Sequence, residues 1–302
     1  MEYTSEYLAV IKNSVFFFEV LFFLLLAKWV YSKISQFSFL HELTEKDNLA
    51  FSITLIGYLS GVAIILLGII SEDSSMIELA TLEAAKTGKL QEMPNMFLIQ
   101  ISDVAVYSML GIILLLLSRV VSDRFLLPHF SIYKEIIEDK NAGTGVVLFA
   151  SFISTALIIN ASLSGEGSAF ISCIVFFIIG QAILILFTRL YQFITPFDIH
   201  DEIEKDNVAV GCSFAGTLLG IGILVSKGIT GEFDGFADLL LSLTVYTLVG
   251  FVLFPVVRLA FDRIFIPGVD LSKELTHDRN TGLGLLEGFL AIIVALTIYF
   301  TM

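Results

Sequence analysis

Long apolar runs alternate along this chain with short, strongly charged segments. Eight such runs lie at about Val10–Tyr31, Leu49–Ile70, Phe97–Val120, Gly145–Ala161, Ala169–Tyr191, Val208–Ser226, Leu239–Leu259 and Gly284–Thr301. Most approach the roughly 20 residues that an α-helix needs to cross a bilayer. Lipid cannot satisfy free backbone N–H and C=O groups, so runs of this length are predicted to be helices. The pattern therefore predicts an all-α transmembrane protein with eight spans.

Composition sharpens this picture. Of 302 residues, 56% are hydrophobic and 16% charged, against about 45–50% and about 25% in soluble chains. A soluble enzyme and a disordered scaffold are excluded. The formal charge of −13 leaves no basic footprint for nucleic acid. Cations set the orientation, because short cytoplasmic loops are enriched in Lys and Arg. Of the 17 Lys and Arg, only Lys12, Lys86, Lys89 and Lys227 fall outside the connections after spans one, three, five and seven. Those four connections are predicted to be cytoplasmic, with both termini outside. Glu2 and Glu6 precede the first cation, Lys12, and the first run ends in Lys28-Trp29-Val30-Tyr31. That is a retained span rather than a cleaved signal. Trp29, Tyr31, Arg189 and Tyr191 read as interface anchors.

The chain repeats itself. His41-Glu42-Leu43-Thr44-Glu45-Lys46-Asp47-Asn48 aligns without a gap on His200-Asp201-Glu202-Ile203-Glu204-Lys205-Asp206-Asn207, and Gly57 and Gly61 align with Gly216 and Gly220. A second block pairs Arg119, Asp123-Arg124, Pro128, Lys134-Glu135 and Asp139-Lys140-Asn141 with Arg258, Asp262-Arg263, Pro267, Lys273-Glu274 and Asp278-Arg279-Asn280. Residues 1–165, with an outside loop at 71–96, form one four-helix repeat, and residues 166–302 form the other. Four spans per unit is an even number, so both copies insert the same way up. This predicts two parallel four-helix repeats about a pseudo-two-fold axis along the membrane normal, unlike the inverted repeats of many transporters. A weaker echo lies within each unit. All four cytoplasmic loops end in mixed charges and then Asn48, Asn141, Asn207 or Asn280, followed two positions later by Ala50, Gly143, Ala209 or Gly282. Each unit therefore reads as two related hairpins.

Glu204-Lys205-Asp206-Asn207-Val208-Ala209, then Phe214-Ala215-Gly216-Thr217-Leu218-Leu219-Gly220, resembles the YjfL-type bacterial inner-membrane proteins, domain of unknown function 350; the Asn-x-Gly opening at Asn280 does too. Both units match, covering nearly the whole chain. The first departs in its Phe-rich opening span, its long outside loop, and Tyr58 and Ser60 in place of Thr217 and Leu219. The resemblance implies a bacterial inner-membrane protein and brings no catalytic residues.

Candidate chemistry is sparse. Asn is a favoured helix N-cap, and the four loop asparagines each stand before an apolar run; a ring of four helix N-termini is the functional alternative, an anion or headgroup site. The glycine pairs Gly57/Gly61 and Gly216/Gly220 suit close helix packing, of the second span on the sixth or within each unit. Intramembrane acids mark candidate ion or proton sites: Glu19 near mid-bilayer, with Gln181 as a candidate partner, Asp103 toward the outside and Glu287 near the cytoplasmic face. None has an acidic counterpart in the other copy, since Glu287 aligns with Leu148 and Asp103 with Ser242. His41 and His200 sit beside acids and read as loop structure or pH sensors. Cys173 and Cys212 read as small buried hydrophobes. In the outside loop, Ser75-Met76-Ile77-Glu78 is a capping-box pattern that predicts a short surface helix ended by Gly88, with Met76, Ile77, Ala80 and Ala84 on one face. Its acids Glu72, Asp73, Glu78, Glu83 and Glu92 read as a solvated face or an attraction for cations. No nucleophile–base pair, metal cluster or cofactor motif is legible, so the chain reads as non-enzymatic, with no cofactor. The expected partners are the lipid bilayer, a cytoplasmic or membrane protein and further copies of the chain. The function expected is a membrane scaffold or partner-binding component acting through its cytoplasmic loops. The alternative is an ion channel or small-solute transporter with its path between the repeats.

Overall fold

The computed structural model describes residues 2–87, 93–163, 170–230 and 235–302, with the side chains of 2–13, 72–97 and 100 outside the described set. Gly88, Lys89, the side chains of Lys12 and Lys86, and the side chains of the outside loop, with its proposed apolar face and its five acids, therefore lie outside the described set.

Eight long helices carry the described chain, and no strand occurs among the described residues. They are α1 (Glu2–Ile34), α3 (Leu49–Thr87), α4 (Met93–Val121), α5 (Ala142–Leu163), α6 (Phe170–Ile194), α8 (Val208–Ile229), α9 (Phe236–Ala260) and α11 (Thr281–Thr301). Three short helices lie in the loops: α2 (Phe39–Thr44), α7 (Ile199–Glu204) and α10 (Leu271–Thr276). Each long helix is long and apolar enough to cross a membrane. The 22 residues of α8 rise about 33 Å, close to the hydrocarbon thickness. The predicted ends hold to within a few residues except at two places: α1 begins at Glu2 rather than near Val10, and α3 runs well past Ile70. The Ser75 capping pattern does not begin a new helix, because α3 runs unbroken through it to Thr87. Between Ile69 and Thr87 there is no Gly or Pro, and Glu, Ala, Leu, Met and Lys propagate a helix well.

The helices form four hairpins, each an outer helix followed by an inner one: α1–α3, α4–α5, α6–α8 and α9–α11. The inner helices pack in series, α3 on α5, α5 on α8 and α8 on α11. Small residues allow this. Gly145 of α5 lies on the backbone of Ala50, Gly211 of α8 on Gly143, and Gly284 of α11 on Ala209, so the same register recurs three times. A Cβ at Gly145 would meet the Ala50 carbonyl oxygen at 2.8 Å, and one at Gly211 would meet the Gly143 oxygen at 2.9 Å. The α5–α8 contact between the repeats is thus built like the contacts within them. The chain is one row of four hairpins, with no looser seam where the copies meet. Gly57 and Gly61 face Phe149 and Ala156 of α5, and Gly216 faces Gly288 of α11 while Gly220 faces Phe254 of α9 and Ala291 of α11. These glycines pack helices within each repeat, not the second span on the sixth.

Burial follows the row. Of the α8 span 89% is buried, but of the α9 span only 17%. Outer helices present Phe17, Phe18, Phe22 and Val252 outward, an apolar surface that suits lipid and would not suit water. Tyr31 and Tyr191 are buried rather than set at an interface. Tyr31 stacks edge-on against Phe39 and Tyr58, and the Tyr191 hydroxyl meets Ser213. Trp29 and Arg189 are exposed.

Candidate functional site

The four loops that join the two helices of each hairpin, loop one (35–48), loop two (122–141), loop three (195–207) and loop four (261–280), gather at one end of the row and share one local design. The residue before each loop asparagine, Asp47, Lys140, Asp206 or Arg279, has a left-handed backbone, with φ of 48°, 55°, 55° and 49°. No other non-glycine residue among those described has positive φ. This turn swings each asparagine into the cap position. Its Oδ1 accepts from the backbone N–H three residues on: Phe51, Thr144, Val210 and Leu283, at 2.9, 2.9, 3.2 and 3.2 Å. Its Nδ2 donates to a glutamate of the same loop: Glu42, Glu135, Glu202 and Glu274, at 2.9, 2.7, 2.9 and 3.0 Å.

The same Nδ2 then reaches the neighbouring loop. Asn48 donates to the carbonyl of Ile136 at 2.8 Å, Asn141 to that of Ile203 at 2.6 Å, and Asn207 to that of Leu275 at 2.8 Å. In each case the acceptor is the residue just after the neighbour's glutamate. Lys140 adds a bond to the Lys46 carbonyl, and the Ala142 N–H donates to Asp206. The series stops at Asn280. That side chain is exposed, whereas Asn48, Asn141 and Asn207 are at most 1% exposed. The loops thus form an open series, not a ring, and a carboxylate sits against every cap, which opposes an anion site there.

Charge differs between loops in a legible way. Burial alone would raise the Glu42 and Glu202 carboxyls, but bonds from Lys46 and Asn48, and from Asn207 and Lys205, hold both below the ordinary value. Glu135 is pushed up by burial, and Asp139 stands where those loops have lysine.

The two aligned histidines are not equivalent. His41 is exposed and pairs with Glu45 at 3.0 Å. His200 is 1% exposed, and its Nε2 lies 3.1 Å from the Leu126 carbonyl. Burial lowers its pKa, which favours the neutral ring. His41 has no preceding loop to pack against; His200 has loop two.

The intramembrane acids are not brought together. Glu19 is half-buried in α1 and Asp103 exposed in α4. Gln181 donates to Thr155. Glu287 is buried and bonded to Arg258 at 2.5 Å and to Ser213 at 2.6 Å, with Tyr191 3.1 Å from the same guanidinium. The sequence showed Arg258 only as half of a repeated pair, without the partner in its path. Cys173 and Cys212 are buried free thiols. The seam between the repeats is filled: a Cβ at Gly222 would meet Ser154 at 2.5 Å, and Ser154 donates to the Leu218 carbonyl at 3.0 Å. A hollow of about 200 Å³ opens at the end away from the loops, among Asn160, Ser226, Thr230 and Tyr299.

Eight apolar helices, duplicated loops and a buried cap network define a multi-pass membrane protein made of tandem four-helix repeats. The profile of the Domain of Unknown Function (DUF350) family matches residues 7–163 and again 166–302. The chain belongs to that family, in two tandem copies. It is also 26% identical over 176 residues to a UPF0719 transmembrane protein of Aquifex aeolicus (strain VF5). That match covers 57% of this chain and 65% of the relative, slightly under two thirds of the relative's length. No solved structure matches the chain.

Proposed function

We propose that this protein is a non-catalytic scaffold of the bacterial inner membrane, with both termini outside, that docks a protein partner on its cytoplasmic loop face. One observation carries the reading. Three asparagines each lock onto a carbonyl of the next loop, while the fourth, Asn280, presents the same donor at an exposed end of the series. A polypeptide offering a backbone carbonyl beside Asn280 would continue the pattern. The bias of Lys and Arg toward the loop end supports its cytoplasmic placement.

A photo-crosslinking residue at Lys273, in intact cells, is expected to capture a partner, and Asn280→Leu to reduce the capture severalfold. Equal capture from Lys205, in an interior loop, or capture indifferent to Asn280→Leu, counts against the reading. Reporter fusions at the two termini test the orientation, and a cytoplasmic C-terminus would overturn it.

The buried Arg258–Glu287 pair favours a second reading, since ionisable groups at membrane depth often mark ion or solute paths. A channel or transporter then requires the filled α5–α8 seam to open. Flux into liposomes that Glu287→Gln abolishes would support it, and flux absent from the wild type would remove it.

A further inference from the structure

Loop two and loop three meet at the junction of the two family copies, and three metal-ligating side chains meet there with them. His129 comes from the turn after Pro128; Asp198 and His200 come from the start of α7. Their ligand atoms all lie within 4.8 Å of one another. Of the four histidines in the chain, His129 and His200 have ring centroids 4.6 Å apart, whereas His41 and His277 each pair with an acid of their own loop.

His200 is built for ligation. Its Nε2 lies 3.1 Å from the carbonyl of Leu126, and a carbonyl can only accept, so Nε2 bears the proton. The lone pair is left on Nδ1. That Nδ1 is buried with no hydrogen-bond partner, and it faces Asp198 Oδ1 at 3.6 Å. A buried acceptor left unsatisfied is costly and calls for a ligand. Metal-binding histidines typically donate their second ring N–H to a carbonyl or carboxylate, which fixes the ring, and the Leu126 bond supplies that support. Asp198 is held in place as the N-cap of α7, accepting from the N–H groups of His200 and Asp201. Asp201 stands 4.0 Å from His129 Nδ1 and adds a second negative charge beside the cluster.

We infer that His129, Asp198 and His200 bind a divalent transition-metal ion of the zinc class, which clamps loop two to loop three. Two imidazoles and one carboxylate are the donor set that zinc takes at 2.0–2.2 Å, with water or a further oxygen completing a tetrahedron. Magnesium and calcium prefer all-oxygen shells. A tetrahedron of that size has edges of about 3.3 Å, near the existing 3.6 Å spacing of His200 and Asp198. His129, exposed on a turn, closes the remainder by a change of rotamer. The site occurs once, because Gly268 aligns with His129 and Phe39 with Asp198. It belongs to the junction, not to the repeat.

The experiment uses the full chain in detergent, purified by a histidine-free tag. Cobalt(II) is expected to bind one per chain with the visible band of a nitrogen–oxygen site, and zinc to displace it. Zinc is expected to raise the thermal midpoint of the wild type, since a ligand of the folded state stabilises it. His129→Ala removes an exposed ligand. Asp198→Asn removes the charge yet keeps a good N-cap. Each is expected to weaken zinc by more than the roughly 10–100-fold that loss of an outer-shell partner costs, while elution and circular dichroism stay those of the wild type. Wild-type protein that binds neither ion would overturn the assignment. So would affinity unchanged in both variants, affinity lost instead in His41→Ala with His277→Ala, or magnesium displacing cobalt at equal concentration.

Discussion

Arg119 and Arg258 occupy the same aligned position in the two repeats, yet the protein houses them differently. In the second repeat Arg258 is paired with buried Glu287, touches the Tyr191 hydroxyl and joins a network with Ser213. In the first repeat the position of Glu287 is Leu148, and that of Thr217 is Tyr58. Arg119 lies over the Tyr31 ring at 5.0 Å, and Tyr31 packs on Tyr58. Arg258 too lies over aromatic rings, Tyr191 at 5.8 Å and Phe197 at 5.6 Å, so both repeats seat the cation on aromatic faces and only the second adds a hydrogen-bonded carboxylate. The repeat fixes the frame, and one side chain on the facing helix decides the chemistry.

The difference can be broken at either end. Glu287→Leu alone leaves a buried guanidinium without its counter-charge and is expected to cost about 3–5 kcal/mol. The double change Arg258→Met, Glu287→Leu should recover most of that, measured by denaturant unfolding in detergent. A double variant as unstable as the single one would show that the pair is not the source. Arg119→Met, which loses a cation–π contact, is expected to cost about 1 kcal/mol. A loss as large as that of Glu287→Leu would erase the distinction between repeats.

The loop series offers a parallel contrast. Asn207→Ala strands the buried Leu275 carbonyl and the half-buried Glu202, for an expected loss of about 2–3 kcal/mol. Asn280→Ala loses chiefly a cap, about 1 kcal/mol. Equal thermal shifts for the two would mean that the inter-loop bonds add nothing. The smallest effect concerns protons. Glu42 and Glu202 are held below their ordinary value of 4.5, so their contribution is present above that pH and fades as pH falls through the lowered values. Glu135 is raised, and its protonated form is favoured by folding. At neutral pH, Glu135→Gln should therefore cost less than Glu202→Gln in thermal midpoint, and the reverse order would contradict the assignment.

Several of these features were legible early because they are local. The eight runs, the Asn caps and the duplicated charge motif each depend on a few neighbouring residues. The Ser75 pattern misled for a related reason: a capping sequence marks a helix start only where the preceding residues leave the helix, and Ile69–Ser75 do not. The burial of Tyr31 and Tyr191 could not be read, since an aromatic near a span end looks the same whether it faces lipid or a neighbouring helix.

Sequence alone determined that the chain is helical, crosses lipid and is duplicated, because a bilayer leaves an apolar segment no other way to satisfy its backbone. Tertiary packing alone decided that the hairpins form one continuous row, that Asn280 ends an otherwise buried series, that Glu287 meets Arg258, and that His129 meets His200. Those pairings depend on how closely the helix backbones approach at Gly145, Gly211 and Gly284, a distance summed over many contacts that no short stretch of residues encodes.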